Sequence, residues 1–284
     1  MSVQKVLVAG AGQMGAGIAQ VSALAGLDVV MTDISDEFVQ RGYAGIEKGT
    51  GRMVEKGKLD AAARDAALGR IICATDLAAG ADADLFVEAA PEVVEIKEGL
   101  FRRASELLRA DAVLASNTSS LPISKLAAFA TGPERFVGIH FFNPVPMMAL
   151  VEVVKGGLTS DDTVAAARAY AEAVGKTPIT TIDSPGFVVN RILFPMINEA
   201  AHAYEEGVAS AEDIDTGMKL GANWPMGPLA LADLVGMDTT SAILETLERE
   251  LGDPKYHPAK VMEDLQAQGK MGRKSGAGFY EYGK

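Results

Sequence analysis

The 284-residue chain has a single cysteine, Cys73, so no intrachain disulfide can form and nothing calls for an oxidising compartment. Basic residues are in deficit, 26 Lys and Arg against 38 Asp and Glu, and the formal net charge of -12 opposes wholesale binding of a nucleic-acid backbone. Long hydrophobic runs are missing as well. No stretch approaches the ~20 apolar residues of a membrane span, and Val3-Gln4-Lys5-Val6-Leu7-Val8-Ala9 is too short for a secretory core. Histidine occurs only three times, and no metal site is read. There is no internal repeat or low-complexity tract, and residues 61–63 and 165–167, all alanine, read as helix surface. These deficits point to a cytoplasmic protein without nucleic-acid or membrane partners.

What remains is ordinary for a globular protein: 48% hydrophobic and 23% charged residues, with 30 Gly and 12 Pro. The length suggests roughly two domains. Apolar runs of strand length fall at 6–9, 29–31, 71–73, 85–87, 113–115, 137–139 and 151–154, with amphipathic stretches such as 14–25 and 96–108 between them. That alternation predicts βαβ units in a Rossmann-like, doubly wound α/β domain with a mostly parallel sheet, covering 1–183. Asp183-Ser184-Pro185-Gly186 reads as the boundary, with Ser184 capping and Pro185 opening a helix that runs to near Gly207. Beyond it, segments 211–219, 229–234, 239–250 and 258–268 have helical spacing, so 184–284 is expected to be an all-helical domain.

Gly10-Ala11-Gly12-Gln13-Met14-Gly15 follows the first strand and opens a helix. Gly10 suits a tight turn, Gly12 lets main-chain N–H groups approach a pyrophosphate, and Gly15 lets helix and strand pack closely. The helix N-terminus favours an anion there. Asp33, ending the second strand, is placed to accept from a ribose 2′-hydroxyl and to repel a 2′-phosphate, which favours NAD over NADP.

A dehydrogenase of alcohols needs a group that takes the hydroxyl proton, and imidazole titrates nearest the working pH. His202 falls in a helix and His257 in a loop, whereas His140 closes a strand, where α/β sheets bind ligands. Glu152, twelve residues on in an apolar strand, needs a partner if buried, and a short Pro-containing turn can bring it to His140; a solvent-facing edge strand is the competing reading. The run Ser116-Asn117-Thr118-Ser119-Ser120 either hydrogen-bonds a substrate or caps the helix near Pro122. Asn190, in the second turn after Pro185, either closes over the site or is solvated on its helix.

Together these segments resemble the short-chain 3-hydroxyacyl-CoA dehydrogenase family. Its motifs are matched in order by Gly10-Ala11-Gly12-Gln13-Met14-Gly15-Ala16-Gly17, Ser116-Asn117-Thr118-Ser119-Ser120-Leu121, His140-Phe141-Phe142-Asn143-Pro144, Val151-Glu152-Val153, Pro185-Gly186-Phe187-Val188-Val189-Asn190-Arg191, Met226-Gly227-Pro228 and Gly272-Arg273-Lys274-Ser275-Gly276. The resemblance implies a catalytic base at His140, an orienting glutamate at Glu152, and groups beside the substrate oxygen at Ser119 and Asn190. It implies NAD contacts at Gln13, Met14, Glu92, Lys97, Ser119, Asn143 and Lys274, and coenzyme A contacts at Lys56 with Arg52 and Lys58 nearby. Pro91 and Gly49 depart from the family's usual residues. The activity implied is reversible oxidation of a short (S)-3-hydroxyacyl-CoA such as 3-hydroxybutyryl-CoA, by a homodimer. A dehydrogenase of a free hydroxy acid or sugar acid, or a non-catalytic nucleotide-binding protein, are the alternatives.

Overall fold

In the computed structural model, which describes residues 3–283, the apolar runs become strands, and those inside the sheet are buried on both faces. Val6, Leu7 and Val8 are fully enclosed, as are Phe86, Val87, Leu114 and Ala115, the pattern of a sheet covered by helices on either side. In chain order the elements are β1 (Lys5–Ala9), α1 (Gln13–Leu24), β2 (Asp28–Thr32), α2 (Asp36–Glu55), α3 (Ala61–Leu68), β3 (Ile71–Ala74), β4 (Leu85–Glu88), α4 (Val94–Leu107), β5 (Val113–Ser116), α5 (Ile123–Ala127), β6 (Phe136–Phe141), β7 (Leu150–Lys155), α6 (Asp161–Ala173) and β8 (Thr177–Ile182). They build one eight-stranded sheet of order β3-β2-β1-β4-β5-β6-β7-β8. Every pairing is parallel except β6 with β7. The strand order reverses between β1 and β4, and in open α/β sheets that switch point is where ligands bind.

The chain divides into two compact units after Ser184. The first holds the sheet, whose core includes Ile18, Met31, Val87, Ile139 and Val153. Phe101 adds edge-to-face contacts with Phe86 and Phe136, at ring separations of 5.8 and 4.6 Å. The second is built from α7 (Val189–Glu205), α8 (Ala211–Gly221), α9 (Pro228–Val235), α10 (Met237–Leu251) and α11 (Lys260–Ala267). Its own core gathers Phe194, Ile197, Leu229, Met237, Leu244 and Met262.

Two features differ from the sequence reading. No strand is predicted after 154, yet residues 177–182 form β8 on β7. Thr177, Thr181 and Ile182 of β8 are exposed or half-exposed, and Pro178 has no N–H to give, so the segment lacks the apolar run of the other strands and suits only an edge. The other difference is the start of α7. Gly186 and Phe187 have φ of 74° and 49°, left-handed values that a helix cannot contain. The helix therefore begins at Val189 with Val188 rather than Ser184 at its N-cap position, Pro185 lies outside it, and Asn190 sits in its first turn rather than its second.

Among the described residues no helix is long and apolar enough to cross a membrane, and no three His, Cys, Asp or Glu side chains are grouped to hold a metal ion.

Candidate active site

The glycine turn joins β1 to α1 where the strand order reverses. A Cβ on Gly15 would lie 1.8 Å from the Gly10 carbonyl oxygen, and one on Gly10, at φ 109°, would lie 2.5 Å from that of Ala89. Both glycines are required by packing. Gly12 is different: a Cβ there would meet nothing within 4 Å. It borders a cleft of about 610 Å³ lined by residues 9–14 with Asp33, Ile34, Phe38, Ala90 and Pro91. The Asp33 carboxylate accepts from the Ala11 and Ile34 N–H groups, each at 2.7 Å, so it braces the turn while bordering the same cleft. About half of its acceptor capacity remains for a ribose hydroxyl. Bare backbone at Gly12, a helix N-terminus and an acceptor at Asp33 fit the pyrophosphate and ribose of NAD.

Next to this cleft lies a buried charge cluster. Lys97, 1% exposed on α4, places its ammonium 2.6 Å from Glu88 Oε1 and 2.8 Å from Glu92 Oε2. Glu88, at the end of β4, also accepts from the Ser116 hydroxyl at 2.6 Å and the Ala90 N–H at 2.7 Å. Glu92 Oε1 accepts from the Thr118 hydroxyl, the Ser119 N–H at 3.0 Å and the Ser120 hydroxyl at 3.2 Å. Burial by itself would raise the Glu92 pKa. The neighbouring ammonium and the hydrogen bonds from Thr118 and Ser119 outweigh it and hold the carboxyl below its ordinary range. Lys97 has almost no surface of its own, so its reach toward a nucleotide runs through Glu92.

His140 and Glu152 are direct cross-strand partners in the antiparallel β6–β7 pair. Nδ1 of His140 lies 2.8 Å from Glu152 Oε2; the histidine is 6% exposed and the glutamate 0%. Since β8 covers the far side of β7, Glu152 is not on a solvent-facing edge. All three histidines have a carboxylate on Nδ1, His202 with Glu205 at 2.7 Å and His257 with Glu248 at 2.8 Å, so pairing alone does not single one out. Burial at a strand end does. Phe142 packs its ring 4.6 Å from that of His140.

Two supporting residues, Glu88 and Lys176, escaped the sequence reading, and a third, Asn117, has a role other than the two read for its run. Asn117 accepts the Phe141 N–H at 2.9 Å and so pins β6 beside His140. Lys176, 9% exposed, donates to the Val145 and Met148 carbonyls at 2.6 and 2.8 Å, holding the connection from β6 to β7. For Glu88 only its place at a strand C-terminus offered a signal, and Asn117 shared it.

Gln13 and Asn143, separately expected at the nucleotide, are joined by a 2.8 Å hydrogen bond. The 116–120 run does not cap α5, whose first N–H groups, of Ile123 and Ser124, are taken by Asp183 at 2.9 and 2.7 Å. Thr118 instead accepts from Leu121 N–H at 2.9 Å, closing a turn that presents Ser119 half-exposed. Arg52, Lys56 and Lys58 are exposed around the C-terminal end of α2, where cations suit the helix dipole. In the C-terminal unit Asn190 is 9% exposed, and Lys274 forms an ion pair with Asp238 at 2.5 Å.

A dinucleotide cleft at the switch point of a mostly parallel sheet, with a carboxylate-braced imidazole on β6, two strands from β4, defines the class of nicotinamide-dependent dehydrogenases. Residues 5–184 match the family described as 3-hydroxyacyl-CoA dehydrogenase, NAD binding domain, and residues 186–282 match 3-hydroxyacyl-CoA dehydrogenase, C-terminal domain. A probable 3-hydroxybutyryl-CoA dehydrogenase of Deinococcus radiodurans is 52% identical, covering 97% of this chain and 99% of its own. The human mitochondrial hydroxyacyl-coenzyme A dehydrogenase is 42% identical over 99% of this chain and 91% of its own. The crystal structure of (S)-3-hydroxybutyryl-CoA dehydrogenase from Ralstonia eutropha superposes with a TM-score of 0.97 at 50% identity, covering all of both chains. The chain belongs to the 3-hydroxyacyl-CoA dehydrogenase family, and it is an NAD-dependent oxidoreductase.

Proposed function

We propose that this chain interconverts (S)-3-hydroxybutyryl-CoA and acetoacetyl-CoA, with His140 as general acid and base. The observation that carries the reading is the buried 2.8 Å contact between His140 Nδ1 and Glu152. A carboxylate on Nδ1 keeps the proton there and puts the basic lone pair on Nε2. In oxidation, Nε2 takes the proton of the C3 hydroxyl and Glu152 stabilises the imidazolium; in reduction the same nitrogen returns it. NAD, when bound, supplies the hydride chemistry at C3. The Ser119 hydroxyl and the Asn190 amide hold the substrate oxygen as its charge grows. Lys56 and Arg52 meet the coenzyme A phosphates. The glycine turn with Gln13 and Met14, then Asp33, Glu92 backed by Lys97, Asn143, Ser119 and, from the C-terminal unit, Lys274 hold the nucleotide.

The names of the relatives support a four-carbon acyl-CoA over a free acid. NADH oxidation with acetoacetyl-CoA, and none with free acetoacetate, is the expected result; equal rates with both would overturn the substrate assignment. In His140→Ala, kcat should fall by about 10²- to 10⁴-fold with NADH affinity nearly intact, and unchanged turnover would remove His140 from the reaction. The assembly we propose is a cytoplasmic homodimer formed through the C-terminal unit, where α7 exposes Ile192 and Met196, one helical turn apart on one face.

A further inference from the structure

The charge cluster beside the cleft closes into a ring. Glu88 holds Lys97, Lys97 holds Glu92 Oε2, Glu92 Oε1 holds Thr118, and the Thr118 N–H reaches the Ser116 hydroxyl at 3.2 Å, which donates back to Glu88. Glu88, Ser116, Lys97 and Thr118 are each no more than 2% exposed. Two carboxylates around one ammonium leave the ring with a net negative charge, costly in a buried place unless each oxygen has donors. A contact with a nucleotide alone does not require this construction. One oxygen of Glu92 instead collects three donors in a row, from Thr118, Ser119 and Ser120.

We propose that Glu92, anchored by Lys97 and Glu88, is a positioning residue that sets the Ser119 hydroxyl. One carboxylate then joins the buried cluster to the serine loop, held by the Lys97 ammonium through one oxygen and fixing the backbone of the oxyanion-holding serine through the other. This rests on the proposed role of Ser119 at the substrate oxygen. Glu92 has a 35% exposed side chain, so its replacement does not open the core, and Lys97 keeps Glu88 as partner.

The test is a double-mutant cycle on Glu92→Ala and Ser119→Ala, measuring kcat with acetoacetyl-CoA extrapolated to saturating NADH, and NADH affinity by fluorescence. Removing one oxyanion donor costs on the order of 10²-fold, so Ser119→Ala should lose about that much. Glu92→Ala should lose about tenfold or more in kcat, and the double variant should stay within about threefold of Ser119→Ala, because residues acting as a unit are not additive. Glu92→Gln, which keeps an acceptor oxygen for the three donors, should recover part of the loss. A Glu92→Ala enzyme with ordinary kcat and only a raised KM for NADH, or a double variant whose losses multiply, overturns the inference and leaves the proposed function standing. Ordinary kcat in Ser119→Ala alone overturns the serine's role, and the inference with it.

Discussion

Glu92 is the residue whose charge state most directly reports the architecture around it. Its folded pKa is held below the ordinary carboxylate value, because Lys97 and the hydrogen bonds of the serine loop outweigh burial. A depressed carboxyl adds stability above its unfolded pKa and loses it as pH falls through the folded value. The melting temperature of the native protein should therefore exceed that of Glu92→Gln most near neutrality, with the gap closing as the solution is acidified below the carboxylate range. Thermal melts from pH 7 to pH 3 check this; a gap that widens in acid contradicts it. Individual chemistry-bearing residues were legible one at a time: an imidazole at a strand end, a glutamate among valines, an aspartate after the second strand. Glu88 and Lys176 were not, and Asn117 was visible in its polar run without its role. Leu85-Phe86-Val87-Glu88 looks like any strand meeting water, and only the packing of α4 brings the Lys97 ammonium over it. Burial and approach, which decide whether a charge is paired, have no fixed spacing along a chain.

At the scale of elements, the glycine turn separates packing from binding. Gly15→Ala would drive a methyl into the Gly10 carbonyl and should cost about 1–3 kcal/mol, the usual penalty of overpacking, visible in thermal or denaturant unfolding. Gly12→Ala meets no neighbour within 4 Å, so it should unfold like the native protein yet bind NADH at least tenfold more weakly, roughly 1.4 kcal/mol or more. Calorimetry with NADH titration distinguishes them, and ordinary NADH affinity in Gly12→Ala would reject this turn as the pyrophosphate site. The six strands inside the sheet were readable because their faces are largely buried and their residues mostly apolar, and β3, at one edge, was readable from the run Ile71-Ile72-Cys73. β8 was not, since an edge strand of threonines and a proline carries no such mark. The start of α7 was misplaced for a local reason: Ser184-Pro185 has capping chemistry, but the left-handed backbone at Gly186 and Phe187 delays the helix.

For the whole molecule, the proposed dimer is directly testable. Light scattering at micromolar concentration should return twice the chain mass, and Ile192→Asp, which puts a charge where α7 exposes apolar surface, should return the single-chain mass. A native protein that scatters as one chain contradicts the assembly. Motif order along the whole chain made the family legible, whereas the brace between the two catalytic candidates depended on strand direction, which spacing does not specify. That direction has a genetic consequence. His140 meets Glu152 in one antiparallel register, and Val151 and Val153 on either side of the glutamate are fully enclosed. A slip of one residue turns every side chain to the opposite face, handing the carboxylate to the valines' oily surroundings and stranding the imidazole. Descendants of this gene are thus held to the number of codons that the hairpin's connecting loop spans, and not only to the side chains it carries.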